Sequence, residues 1–305
     1  MPMVIRKTWR GAAFGLAAGA AALMTGTMAL AQAERPAPGL EQPKKYKLAV
    51  DTGKQQQIWA AVMKTLGPYD NKEKCWTLEV RERRFCMQPA KLAMRGGNDH
   101  IDYYFAISGK EYQPNALKTG VVMFMHFSTA GADKSFSFRE LDGLYEFGSR
   151  KTPSADKDFR FVEVAIDTWA WEVTDTLTGI GSELETTTLI HIGGVFTPKL
   201  KRMADFVIYK GNESSCGGEK QVLCASNKID YSFKSGVGGF FALEMTLRRK
   251  TGTKDIFALG DPSPVTQSEP LTIPFDSKEG RYKLPSTDMV DWLSRKMPPK
   301  VAANP

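Results

Sequence analysis

A chain of 305 residues, 42 % hydrophobic and 10 % aromatic, carries enough apolar material for a sizeable core, which excludes a disordered or low-complexity protein. Its formal charge of +7 overstates its basicity, because Arg6, Lys7 and Arg10 precede the first acidic residue; without them 38 basic residues face 34 acidic ones, a net +4. That balance argues against a nucleic-acid partner, and the basic runs at 81–84, 199–202 and 248–250 are too short to form a binding face of their own.

The N-terminus has the three parts of a secretory signal: a positive start, an uncharged stretch over residues 11–30, and small residues at Ala29, Ala31 and Ala33. About twenty apolar residues could also anchor a chain in a bilayer. The alanine-rich composition and the Ala-x-Ala spacing favour removal, so residues 1–33 are expected to be a cleaved signal peptide, with the mature N-terminus between Gln32 and Ala37. The mature protein is then periplasmic or extracellular, with no transmembrane segment left after signal cleavage. Residues 34–45 hold Pro36, Pro38 and Pro43 and read as a Pro-rich linker.

A helix is predicted next. Thr52 and Gln55 form a capping box, Ile58, Trp59, Val62, Met63 and Leu66 recur at helical spacing, and Gly67-Pro68 ends the run. A second helix closes the chain: Asp288 and Asp291 suit its first turn, Met289, Val290, Leu293 and Met297 form its stripe, and Pro298-Pro299 ends it. Residues 298–305 read as a disordered tail.

Nearly everything between has period two. Ile101, Tyr103, Phe105 and Ile107 alternate with Asp102, Tyr104 and Ala106. Phe241, Leu243, Met245 and Leu247 alternate with Ala242, Glu244, Thr246 and Arg248. Residues 121–127 are apolar on both faces and suit a central strand. Further strands are expected at 76–80, 85–94, 136–138, 159–173, 186–196, 206–209, 229–233, 254–259 and 271–275. The fold class is therefore mostly β: a single domain over residues 46–297, a two-sheet sandwich of jelly-roll type with one N-terminal and one C-terminal helix.

All four cysteines lie in the exported part. An even count in an oxidising compartment implies two disulfides, and the grouping favours Cys75–Cys86 and Cys216–Cys224, each contributing on the order of 2–3 kcal/mol. Their spacing does not suit a zinc ribbon.

The segment with the most unusual composition is 159–173, FRFVEVAIDTWAWEV. On one unbroken strand Val162, Val164 and Ile166 face the core, while Phe159, Phe161, Glu163, Asp167, Trp169 and Trp171 face the other way. Two tryptophans about 7 Å apart beside two carboxylates have the composition of a sugar-stacking surface. The competing reading buries both rings under a loop or second sheet, and a β-bulge would reverse the faces. Trp169, Trp171, Glu163 and Asp167 are the candidate ligand-binding residues.

Paired carboxylates also suit glycoside hydrolysis, but Glu163 and Asp167 would stand about 13 Å apart on an extended strand. Glu244 is the other candidate partner for Glu163. His100, His126 and His191 are too scattered for a linear metal motif, and His126 is expected to be a hydrogen-bonded core residue. No nucleophile elbow, phosphate loop or calcium loop occurs, so no catalytic residue, metal or cofactor is assigned. Ser214 to Gly218 fits a hairpin tip closed by a disulfide. Three functions are carried forward. The first is an exported non-catalytic envelope or secreted protein binding a glycan, peptidoglycan fragment or protein partner. The second is a glycan-active hydrolase, and the third a structural or host-interaction factor without a small-molecule site.

Overall fold

The computed structural model describes residues 43, 47–80, 82–96, 100–112, 120–130, 135–146, 156–179, 182–191, 200–213, 215–217, 223–235, 239–253 and 265–297, with the backbone alone at 130, 135–146 and 156. The expected signal peptide, nearly all of the linker, the strand expected at 254–259 and the tail lie outside the described residues. The protein is mostly β: among the described residues 64 % lie in strands, which form antiparallel sheets accompanied by two helices.

Helix α1, Thr52–Leu66, buries Ile58, Trp59, Val62, Met63 and Leu66, the stripe that the spacing predicts. Its cap is one residue earlier than the capping box suggests. Asp51 accepts from the Lys54 N–H at 2.9 Å, and Gln55 Oε1 instead accepts from the Leu48 N–H at 2.8 Å. A carboxylate outcompetes a hydroxyl for the free N–H groups at the positive helix end.

Six strands follow as an antiparallel meander in sequence order: β1 Tyr69–Asp70, β2 Cys75–Val80, β3 Arg83–Gly96, β4 His100–Glu111, β5 Gly120–Ala130 and β6 Ser135–Glu146. A second meander holds β7 Phe159–Ala165, β8 Thr168–Gly179, β9 Ser182–His191, β10 Lys201–Gly211, β11 Cys224–Lys234, β12 Ala242–Gly252 and β13 Thr266–Gln267, with β14 Leu271–Ile273 also pairing with β12. A hairpin of β15 Phe275–Asp276 and β16 Arg281–Tyr282 leads to the short helix α2, Met289–Ser294. Asp288 caps α2 by accepting from the Asp291 N–H at 3.0 Å, and both aspartates hold Lys210 of β10.

Strand alternation sorts the apolar side chains into three buried clusters. In β4 and β5, Tyr103, Phe105, Ile107, Val121, Met125 and Phe127 pack with α1. Their neighbours Ala106, Val122 and Phe124 turn the other way and share a cluster with Phe159, Trp171, Val173 and Ile190 of the second sheet. On that sheet's far face Val164, Ala170, Leu189, Phe206, Leu243, Met245 and Leu247 pack with Met289, Val290 and Leu293. Both faces of each sheet are therefore covered over their central strands.

The eight-stranded sheet curls until its first strand touches the chain leading into β12. The Phe241 N–H donates to the Val164 carbonyl at 2.7 Å, and Ala165 bridges Phe240. The disulfides Cys75–Cys86 and Cys216–Cys224 staple the β2–β3 hairpin and the β10–β11 connection, with Cα separations of 5.3 and 4.9 Å. Among the described residues no helix is long and apolar enough to cross a membrane.

Candidate ligand-binding cleft

The aromatic segment is a hairpin, not a single strand. Ile166 and Asp167 form the turn between β7 and β8, where Asp167 adopts φ 54°, a left-handed conformation that aspartate tolerates better than most residues. The register pairs Phe159 with Val173, Phe161 with Trp171 and Glu163 with Trp169. Cross-strand partners share a face, so Phe159, Phe161, Glu163, Trp169 and Trp171 do lie together. The two turn residues depart from the expectation. Ile166, expected beside Val162 and Val164 in the core, is 78 % exposed at the hairpin tip. Asp167 leaves the shared face, and its N–H donates to Glu163 Oε1 at 3.2 Å, in place of the extended-strand separation.

The tryptophans have different surroundings. Trp171 is completely buried between Phe161 at 4.9 Å, Phe159 at 6.2 Å and, across the sheets, Phe124 at 5.6 Å. It is a core residue and offers no surface to a ligand. Trp169 is half-buried, with Phe161 stacked on it at 5.6 Å and the Arg95 guanidinium over the ring at 2.9 Å. An open side-by-side platform is thus absent, because the first sheet covers this face. Alternation within one strand cannot reveal that a second layer lies above it.

A cleft of about 380 Å3 lies where β7 diverges from the chain around residues 240–241. Phe161, Trp169, Tyr231, Phe233 and Phe241 supply its aromatic walls, and Arg160, Glu163, Glu172 and Ser232 its polar groups. Glu163 and Trp169 line it as sequence-predicted residues. Asp167 is exposed at the tip, and Glu244 points outward into an ion pair with Lys234 at 2.6 Å. Neither contributes to the cleft lining.

Glu172, which no sequence pattern marked as functional, is the deepest charge. It sits on the opposite face of β8 from Trp171, 3 % exposed, with Oε1 accepting from Arg160 Nη1 at 3.2 Å and the Tyr231 hydroxyl donating to the carboxyl. Burial raises its carboxyl above the ordinary range, against the pull of the Arg160 charge and of the Tyr231 hydroxyl beside it. The Tyr231 hydroxyl is pushed up well above 10 by burial and by the Glu172 charge. A faint sequence signal existed: alternation places Glu172 in line with Ala170, on the face that also carries Val162 and Val164.

A second polar group lies on the first sheet where it faces the hairpin. His126 and His100 direct Nε2 at the two oxygens of Asp102, at 2.9 and 3.2 Å. Tyr104 stacks on His126 with centroids 4.6 Å apart and meets Phe161 at 4.5 Å. Burial alone would raise the Asp102 carboxyl; hydrogen bonds from His126 and Ser128 and the histidine charges hold it below its ordinary range. Burial pushes the Tyr104 hydroxyl up to about 12. The pairing of β4 with β5 brings together two histidines far apart in the chain, as linear spacing could not show. His191, in contrast, packs edge-on to Phe240 at 5.6 Å, and burial lowers its imidazole. Among the described residues no group of three or more His, Cys, Asp or Glu could hold a metal ion.

The chain matches no known family model, no curated protein and no solved structure.

Proposed function

We propose that this is an exported, non-catalytic binding protein of the envelope or medium, folded as one two-sheet sandwich domain over residues 46–297, which takes a glycan or peptidoglycan fragment at the cleft beside β7. The carrying observation is that aromatic walls and the polar groups Glu163, Arg160 and Glu172 line one opening of about 380 Å3, a size suited to a small polar ligand. In this reading Trp169 is a wall whose ring plane is fixed by Phe161 and Arg95, and Trp171 supports it from the core. Two disulfides suit an oxidising compartment.

The hydrolase reading keeps one supporting observation: two carboxyls line the same cleft, and that of Glu172 is pushed up, as a general acid requires. One experiment separates the two. The mature protein is titrated with soluble peptidoglycan fragments while reducing ends are followed. Binding without turnover, weakened at least tenfold by Trp169→Ala, supports the binding protein. Turnover lost in Glu172→Gln with binding retained supports the hydrolase.

A further inference from the structure

Among the described residues the curled sheet closes on itself at one point. The Val164 carbonyl accepts from the Phe241 N–H at 2.7 Å and Ala165 bridges Phe240; away from that point β7 diverges as the last strand of its sheet. The register shows which backbone groups its remaining edge presents. The two-residue turn at Ile166 and Asp167 joins the paired residues Ala165 and Thr168, and a turn of that length closes on a hydrogen-bonded pair. Thr168 therefore faces β7, and alternation gives Ala170 and Glu172 the same direction. Their partners Val162 and Arg160 bond to β8. Phe161 and Glu163 consequently turn their N–H and C=O groups away from β8, and among the described residues no backbone group meets them.

That edge borders the cleft, whose lining runs through four consecutive residues of β7, Arg160, Phe161, Val162 and Glu163. Side chains of consecutive strand residues leave on opposite faces, so a cavity that meets all four lies along the edge of the strand. Tyr231, Phe233 and Phe241 wall its other side. An unpaired edge is a template for another extended chain. A cleft walled on its far side leaves room for one such chain, and not for the edge of a second folded sheet. We propose that it takes an extended segment of a partner protein, which adds to β7 as an antiparallel strand through Phe161 and Glu163. The partner residue opposite Val162 shares that side chain's face, where Val162, Tyr231 and Phe233 pack against one buried cluster, and is therefore apolar. Its two neighbours, opposite Phe161 and Glu163, carry the N–H groups that face β7 and have polar side chains beside the Glu163 carboxylate. This goes beyond the glycan reading: a sugar uses the aromatic walls of the cleft, a peptide its backbone edge.

The test is calorimetric titration of the mature protein with the blocked peptide acetyl-alanyl-threonyl-valyl-threonyl-alanine amide and its three singly N-methylated forms. The proposal expects the parent peptide to bind and N-methylation of either threonine to weaken it about tenfold, the loss of one hydrogen bond. N-methylation of the valine, whose N–H faces away from β7, should leave binding nearly unchanged. Glu163→Pro removes an outward N–H and leaves the β7–β8 ladder whole, as proline on an edge strand can. It should weaken the parent peptide by about the same factor, with thermal melting unchanged. If that variant does not fold, the methylated peptides still decide the question on the unaltered protein. Equal losses at all three methylation sites, or no binding of the parent peptide, overturn the proposal. Binding of peptidoglycan fragments in that case leaves the glycan reading intact, and binding of neither removes both. A dimer in sedimentation that Glu163→Pro disperses gives the edge to a second copy of the chain and overturns the partner.

Discussion

The layer under α1 and the hairpin end of the second sheet are built from the same side chains to different ends. Under α1, Trp59 and Trp76 are 1 % and 0 % exposed, 5.7 Å apart, in an apolar cluster with Phe85, Phe105 and Phe127, and the Arg83 guanidinium that lies over Phe85 is paired with Glu111 at 2.9 Å. At the hairpin, Trp169 and Trp171 have comparable aromatic company, but Arg95, Arg160, Glu163 and Glu172 stand among the rings. An apolar cluster gains from the packing of its rings, although the Trp76 Nε1–H is buried without a hydrogen-bond partner among the described residues. Charges among aromatic rings need partners, and at the hairpin Arg160 and the Tyr231 hydroxyl supply them to Glu172, while Arg95 Nε is buried without a hydrogen-bond partner among the described residues. The first region is closed by apolar packing; the second places charged groups beside an opening.

The strongest way to break this comparison is to truncate its tryptophans. Trp171→Ala should cost about 3–5 kcal/mol in denaturant unfolding, as Trp76→Ala should, because both rings are fully buried. Trp169→Ala should cost less than half as much. Equal losses at 169 and 171 would erase the distinction between core and cleft.

Next in size are the staples. Replacing both Cys75 and Cys86 by Ser should lower stability by about 2–3 kcal/mol, since the bond closes a short loop. The loss should appear in chemical unfolding of the whole domain, and no loss would show that the hairpin is already held by its strand pairing.

pH sharpens the contrast within the polar region. The Glu172 carboxyl is raised, so its contribution to stability is fully present below the unfolded value near 4.5 and is lost as pH rises through the folded one. The Asp102 carboxyl is lowered, so its contribution is present above about 3.8 and is lost as pH falls through the folded value. Glu172→Gln should therefore flatten the decline in melting temperature on the alkaline side of pH 4.5, and Asp102→Asn should flatten the acid side. An unchanged profile in either variant contradicts the assignment.

The smallest effect concerns the start of α1. Asp51→Ala should cost about 1 kcal/mol, and Thr52→Ala much less, because the aspartate caps the helix.

Local pattern made much of this fold legible. The α1 stripe, the two-faced apolar run of β5 and the inward set Leu243, Met245 and Leu247 depend only on each element's own periodicity, and all three are buried as that periodicity requires. The candidate site was half legible. Glu163 and Trp169 were marked by composition, but Ile166 and Asp167 gave no strong turn signal, so the hairpin resembled one strand. Glu172 and Arg95 escaped notice because their importance depends on which strands cover them. Asp102, His100 and His126 meet only through strand pairing.

The central claim is that the hairpin end, and not the α1 layer, meets the ligand. Tryptophan emission of the mature protein, titrated with soluble peptidoglycan fragments, tests it most directly. The account predicts a saturable change that disappears in Trp169→Phe and persists in Trp76→Phe. A change that survives Trp169→Phe undiminished would contradict it.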